Sequence, residues 1–147
     1  MPSNMKNLSS PAEKAENITL LSVSADQDDH RSLRDVAQAA GWNLEAVRSC
    51  SEALRTAART NPTVITCERE LPDGSWRDLI HRLSGLQNPP PVVVLSRHAD
   101  ERLWAEVLNL GGYDVLAKPL EQNEVRRVIS MAFRYGRHAE RLIPALS

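Results

Sequence analysis

The sequence predicts a doubly wound α/β domain, with a five-stranded parallel sheet and five helices covering its two faces. Three observations lead there. Short apolar runs alternate along the chain with stretches whose apolar residues recur at helical spacing. The runs are continuous and do not alternate apolar with polar, which suits strands buried on both faces of a parallel sheet. Glycine or proline punctuates the junctions, at Gly41, Pro62, Pro89 to Pro91 and Gly111-Gly112.

Ile18 to Val23 is the first apolar run. From Gln27 to Ala40, Leu33, Val36, Ala37 and Ala40 recur at helical spacing, and Gly41 closes that helix. Asn43 to Val47 reads as the second strand. Ser51 to Thr60 is a helix with Ala53, Leu54, Ala57 and Ala58 inward and Ser49-x-x-Glu52 as its cap. Thr63 to Cys67 is the third strand and runs into Glu68, four residues before the turn Pro72-Asp73-Gly74. A helix follows over Ser75 to Leu83. The prolines after Asn88 force an extended entry into Val92-Val93-Val94-Leu95, the most apolar strand. The helix from Asp100 to Leu110 carries Leu103, Val107 and Leu110 on one stripe and stops at Gly111-Gly112. Tyr113 to Ala117 is the fifth strand, and the last helix runs from Glu121 to Tyr135 or beyond.

At 147 residues the chain reads as one domain over residues 18–136. Residues 1–17 are polar and read as a disordered arm, and residues 137–147 as a tail extending the last helix. Eighteen Lys and Arg against 19 Asp and Glu leave a net charge of -1, so no basic field recruits nucleic acid or an anionic membrane. No apolar run approaches the roughly 18 residues of a membrane span, and the N-terminus lacks a signal-peptide core. Cys50 and Cys67 have no metal-ligand or redox spacing, and Cys67 falls in an apolar strand. The expectation is a cytoplasmic protein with no membrane or nucleic-acid partner.

In a doubly wound sheet, functional residues gather at the carboxyl ends of the strands. These are Ser24, Ala25 and Asp26 after the first, Glu68 after the third, Ser96 after the fourth and Lys118 after the fifth. Asp28 and Asp29 read as first-turn acids that favour the positive end of the helix dipole. His30, His81, His98 and His138 lack ligand spacing; only His98 could approach the strand ends, as an exposed loop residue. Trp42 and Trp76 read as covers for the edges of the core.

Taken together, Glu68-x-x-x-Pro72-Asp73-Gly74, Val92 to Ser96, Gly111-Gly112-Tyr113-Asp114 and Lys118-Pro119 resemble the receiver domain of two-component response regulators, over about Ile18 to Phe133. The resemblance implies a flavodoxin-like sheet of strand order 2-1-3-4-5 and a cis bond before Pro119. In that family an aspartate at the Glu68 position accepts a phosphoryl group from a histidine kinase. An acidic pair at the first strand end helps it to hold magnesium, which hard carboxylate oxygens suit. Ser96 and Lys118 match the family's switch hydroxyl and lysine, the lysine pairing with the acceptor.

Three elements of the switch depart from the pattern. The metal pair aligns with Ser24 and Ala25, so both carboxylates are missing; Asp26 falls one place later, and counting back from Gly41 disfavours the one-residue slip that would restore it. The acceptor is Glu68, whose extra methylene displaces the carboxylate from in-line attack. It reads either as a partial imitation of a phosphorylated aspartate or as a degenerate strand end. The switch aromatic is replaced by Val115, with Tyr113 two residues away, on the same face of an alternating strand but at the wrong depth.

These departures lead to an atypical, or pseudo-receiver, domain: non-enzymatic, without catalytic residues, metal or cofactor. It would signal by contact with a protein partner, a histidine kinase or another signalling protein, with a homodimer as one arrangement. Trp104 and Tyr113 are the expected contact residues, since Trp104 aligns with an outward position on the family's partner-binding surface. The alternative is a working phosphorelay receiver, phosphorylated by a histidine kinase, with magnesium held through Asp26. A flavodoxin-like small-ligand binder is disfavoured, because Ser24-Ala25-Asp26-Gln27 lacks phosphate-cradling glycines.

Overall fold

The computed structural model describes the backbone from Glu16 to Leu146 and side chains as far as His138. The chain runs β1 (Thr19–Val23), α1 (Gln27–Ala40), β2 (Asn43–Val47), α2 (Cys50–Thr60), β3 (Val64–Glu68), β4 (Glu70–Leu71), β5 (Gly74–Ser75), α3 (Trp76–Leu83), β6 (Val92–Ser96), α4 (Glu101–Asn109), β7 (Asp114–Ala117) and α5 (Gln122–Leu146). The main sheet is parallel in the order β2-β1-β3-β6-β7, with β4 and β5 set apart as a small antiparallel hairpin. With the hairpin strands counted, this is the predicted order. Val23 pairs with Cys67, Glu68 with Leu95 and Ser96 with Ala117, so the central strands end level with one another.

The period of two along each strand divides the core. Leu21, Val23, Ile65, Cys67, Val92 and Val94 face α2, α3 and α4. Leu20, Val64, Val93, Leu95 and Leu116 face α1 and α5. Each fully buried Leu, Ile or Val contributes on the order of 1.5–3 kcal/mol by leaving water, which is why these apolar runs dominate the topology.

The helix ends follow from local chemistry. Asp26 caps α1 by accepting from the Asp28 amide at 2.9 Å, and Gly41, at φ 78°, ends it in the left-handed region that glycine tolerates best. Asp73, at the tip of the β4–β5 hairpin, accepts from the Cys50 amide at 2.8 Å and the Ser51 amide at 3.0 Å, tying the turn to the start of α2. Those backbone bonds hold its carboxyl below the usual range. Gly74 cannot carry a side chain: its φ is 152°, and a Cβ would lie 2.6 Å from the Asp78 carboxylate that caps α3.

Several sequence expectations are corrected here. Trp76 lies fully buried in the core, with its indole N–H unpaired, not at an edge. In α2, Thr56 is buried where Ala58 was expected and Ala58 is exposed. Leu110 leaves the buried stripe of Leu103 and Val107 because α4 ends at Asn109. Tyr113 and Val115 sit on opposite faces: the strand begins at Asp114, so Tyr113 packs on the α1–α5 side, while Val115 packs on the α2–α4 side. Of the arm, residues 1–15 lie outside the described residues, and Glu16 accepts from Arg134 of α5. The tail is helical as far as Leu146, with side chains beyond His138 outside the described residues.

Candidate functional site at the strand ends

Lys118 organises the site. It leaves β7 one residue past Ala117, its amide bonded to the Ser96 carbonyl at 2.9 Å, and precedes a cis bond to Pro119. Its side chain is only 7% exposed and its ammonium lies 2.8 Å from both Glu68 Oε2 and Asp29 Oδ2. Asp26 Oδ2 is farther, at 4.0 Å, and is also approached by Arg97 at 3.7 Å. Burial works against the ammonium's charge, but the hydrogen bonds and charges of Asp29 and Glu68 outweigh it and raise its pKa above the ordinary lysine value.

Ser24 closes the other side. Its hydroxyl donates to Asp29 Oδ2 at 2.7 Å, lies 3.2 Å from Glu68 Oε1, and accepts from the Asp26 amide at 2.9 Å. His30 fixes the Ser24 backbone: its Nε2 donates to the Ser24 carbonyl at 2.8 Å. In the neutral ring its Nδ1 accepts from Ser22 Oγ at 2.7 Å. Ala25 has no polar side chain to offer. Ser96, buried at the end of β6, does not reach the cluster; its hydroxyl accepts from the exposed His98 backbone N–H at 3.1 Å.

Asp29 and His30 are the residues that sequence reasoning missed. Asp29 was assigned to the helix dipole, and His30 was set aside; instead they are 3% and 2% exposed. A signal existed. The buried stripe of Leu33, Val36 and Ala37 continues one turn back through His30 and Asp29. Side chains on a helix lean toward its N-terminus, which aims Asp29 back at the strand ends. Asp28 remains on the surface, paired with Arg31 at 3.3 Å.

The carboxylates of Asp26, Asp29 and Glu68 lie within 4.8 Å of one another. In donor type they suit magnesium, which takes hard oxygen ligands. Two of the three, however, already share the Lys118 ammonium, a single positive charge where magnesium would bring two. Beside this cluster opens a cleft of about 300 Å³ lined by Glu68, Arg69, Glu70, Ser96, Arg97, His98 and Lys118.

Away from the strand ends, Trp104 is 49% exposed and donates its indole N–H to Asp114 Oδ1 at 3.2 Å. Tyr113 packs against Tyr135 of α5 with the rings tilted by 46°, centroids 5.3 Å apart. Val115 is half-buried at the switch-aromatic position, next to Trp104.

Among known proteins, residues 20–130 match the response regulator receiver domain. The acid tolerance regulatory protein ActR of Rhizobium meliloti (strain 1021) is 27% identical over 107 residues, 73% of this chain and 55% of that protein. The probable transcriptional regulatory protein TcrX of Mycobacterium tuberculosis (strain ATCC 25618 / H37Rv) is 34% identical over 87 residues, 58% of this chain and 36% of that protein. The chain thus spans about half the length, or less, of these curated relatives. A putative response regulator from Chloroflexus aurantiacus J-10-fl superposes with a TM-score of 0.70 at 26% identity, covering 78% of this chain and 98% of the other. The signal receiver domain of a putative LuxO repressor protein from Vibrio parahaemolyticus reaches 0.77 at 16% identity, covering 86% and 97%, a likeness of fold alone. With a parallel sheet of this order, a lysine and a carboxylate paired at its strand ends, and a match over residues 20–130, the chain belongs to the response regulator receiver domain family.

Proposed function

We propose that this receiver domain works in signal transduction as a protein-contact module that does not depend on phosphoryl transfer. The supporting observation is the clamp at the strand ends: one ammonium, that of Lys118, holds both Glu68 and Asp29 at 2.8 Å. Glu68 is thereby paired from within the chain and turned toward Lys118, with Ser24 on its other oxygen. A nucleophile needs a free, in-line oxygen and a charge-neutralising ion for the incoming phosphoryl group. Here both Glu68 oxygens already have partners inside the chain, Lys118 on one and Ser24 on the other. The domain is non-enzymatic on this reading, it takes no cofactor, and it meets its signalling partner in the cytoplasm through the surface of α4, β7 and α5. Trp104, Met131 and Tyr135 stand exposed there.

Incubation with acetyl phosphate and magnesium, followed by intact mass measurement, tests this. No phosphoryl adduct is expected on the wild-type chain. An adduct mapped to Glu68 supports the second reading, a receiver phosphorylated with magnesium held by Asp26, Asp29 and Glu68, which the closeness of those three carboxylates favours.

A further inference from the structure

A second cleft, of about 240 Å³, opens between the start of α4 and β7, lined by Ala99, Asp100, Glu101, Trp104 and Val115. Its apolar lining is Ala99, Val115 and Trp104. The Trp104 ring is held in place by its bond to Asp114. Two carboxylates line the cleft, that of Asp100, which caps α4 by accepting from the Leu103 amide, and that of Glu101; Asp114, bonded to the indole, adds a third on the neighbouring strand, and none of the three is in an ion pair among the described residues. No basic residue lines the cleft; the nearby Arg97 lines the other cleft, at Glu68, and faces Asp26.

We propose that this cleft seats an arginine side chain from an extended basic segment of a partner protein. The aliphatic stem of arginine fits an apolar lining while its charged head remains at the rim. The guanidinium stacks on an indole face and binds carboxylates through two parallel N–H bonds, which a lysine ammonium cannot do. Charge complementarity therefore selects a cationic partner. A second copy of this chain is the weaker source, because its own helix α5 engages most of its arginines: Arg134 with Glu16, Arg137 over Phe133 and Arg127 against Met131.

This rests on the reading of α4, β7 and α5 as the contact surface, and it is tested without reference to Glu68. Phosphoryl uptake at Glu68 would sink the clamp and leave peptide binding to be judged separately. The probe is an acetylated, amidated pentapeptide with arginine at its centre, titrated into the full chain labelled with ¹⁵N, beside the same peptide carrying citrulline or glutamate there. The Trp104 indole N–H signal, identified by its loss in Trp104→Phe, should move with the arginine peptide. Binding should be roughly tenfold weaker for citrulline, the size of one cation–π contact with its ion pair. Glu101→Gln should weaken the arginine peptide several-fold while leaving the thermal melt unchanged, and added salt should do the same. Equal binding of arginine and citrulline peptides, or shifts confined to residues away from the cleft, would overturn the proposal. So would self-association in sedimentation that disappears in Trp104→Ala, since the occupant would then be a second copy.

Discussion

At the strand ends the molecule buries charge, while across α4, β7 and α5 it leaves apolar surface in water. Lys118 and Asp29 are 7% and 3% exposed and satisfy each other, together with Glu68 and Ser24. Trp104 and Tyr135 are 49% and 59% exposed. Charge removed from water must find its partners inside the chain, or the desolvation cost is uncompensated. Exposed apolar groups gathered on one surface gain by being covered from outside. The two regions thus differ in what completes them: the first is closed by its own residues, the second, on the reading proposed above, by another molecule.

The largest effect expected from breaking this contrast is at Lys118. Lys118→Met strands two carboxylates, the deeply buried Asp29 and the partly buried Glu68, and should cost about 3–5 kcal/mol in urea unfolding. A loss below about 1 kcal/mol would mean that solvent already does the work of the ammonium. Glu68→Gln keeps shape and removes one charge, so a smaller cost of about 1–3 kcal/mol is expected, read from the same midpoints. At the other end of the comparison, Trp104→Ala should change stability by no more than about 0.5 kcal/mol, as surface substitutions do.

The pH dependence sharpens the contrast. Because the folded pKa of Lys118 is raised, its contribution is complete below the unfolded lysine value of about 10.4 and is lost as pH climbs through the higher folded value. The difference in urea midpoint between wild type and Lys118→Met should therefore hold constant from neutral pH to about 10 and narrow above it. The difference between wild type and Trp104→Ala should not follow that course.

How far these regions were legible in the sequence differs in the same way. The five strands of the main sheet were readable because apolar runs between glycines and prolines have few other uses, and Glu68, Ser96 and Lys118 were readable because each follows such a run. Asp29 was not, because an acid in a first helical turn has a sufficient local reason to be there. Only its place on the stripe of Leu33 and Val36 hinted that it turns inward. His30 was hidden likewise. Trp76 opens α3 and Trp104 lies one turn into α4, in a chain with three tryptophans. Their fates, one sealed in the core and the other half in water, depend on which helix face meets the sheet. For α3 the capping box at Ser75 and Asp78 starts the helix so that Trp76 and Leu79 point inward together. Tyr113 and Val115 were placed on one face because the fifth strand was begun one residue too early.

A double-mutant cycle between Lys118 and Asp29 tests the central claim most directly, using Lys118→Met, Asp29→Asn and the pair of substitutions in urea unfolding. If one ammonium joins Asp29 to Glu68, the two substitutions should be coupled by about 1–3 kcal/mol, the second costing far less once the first is made. Additivity within about 0.3–0.5 kcal/mol would show that the two groups act independently and would contradict the clamp.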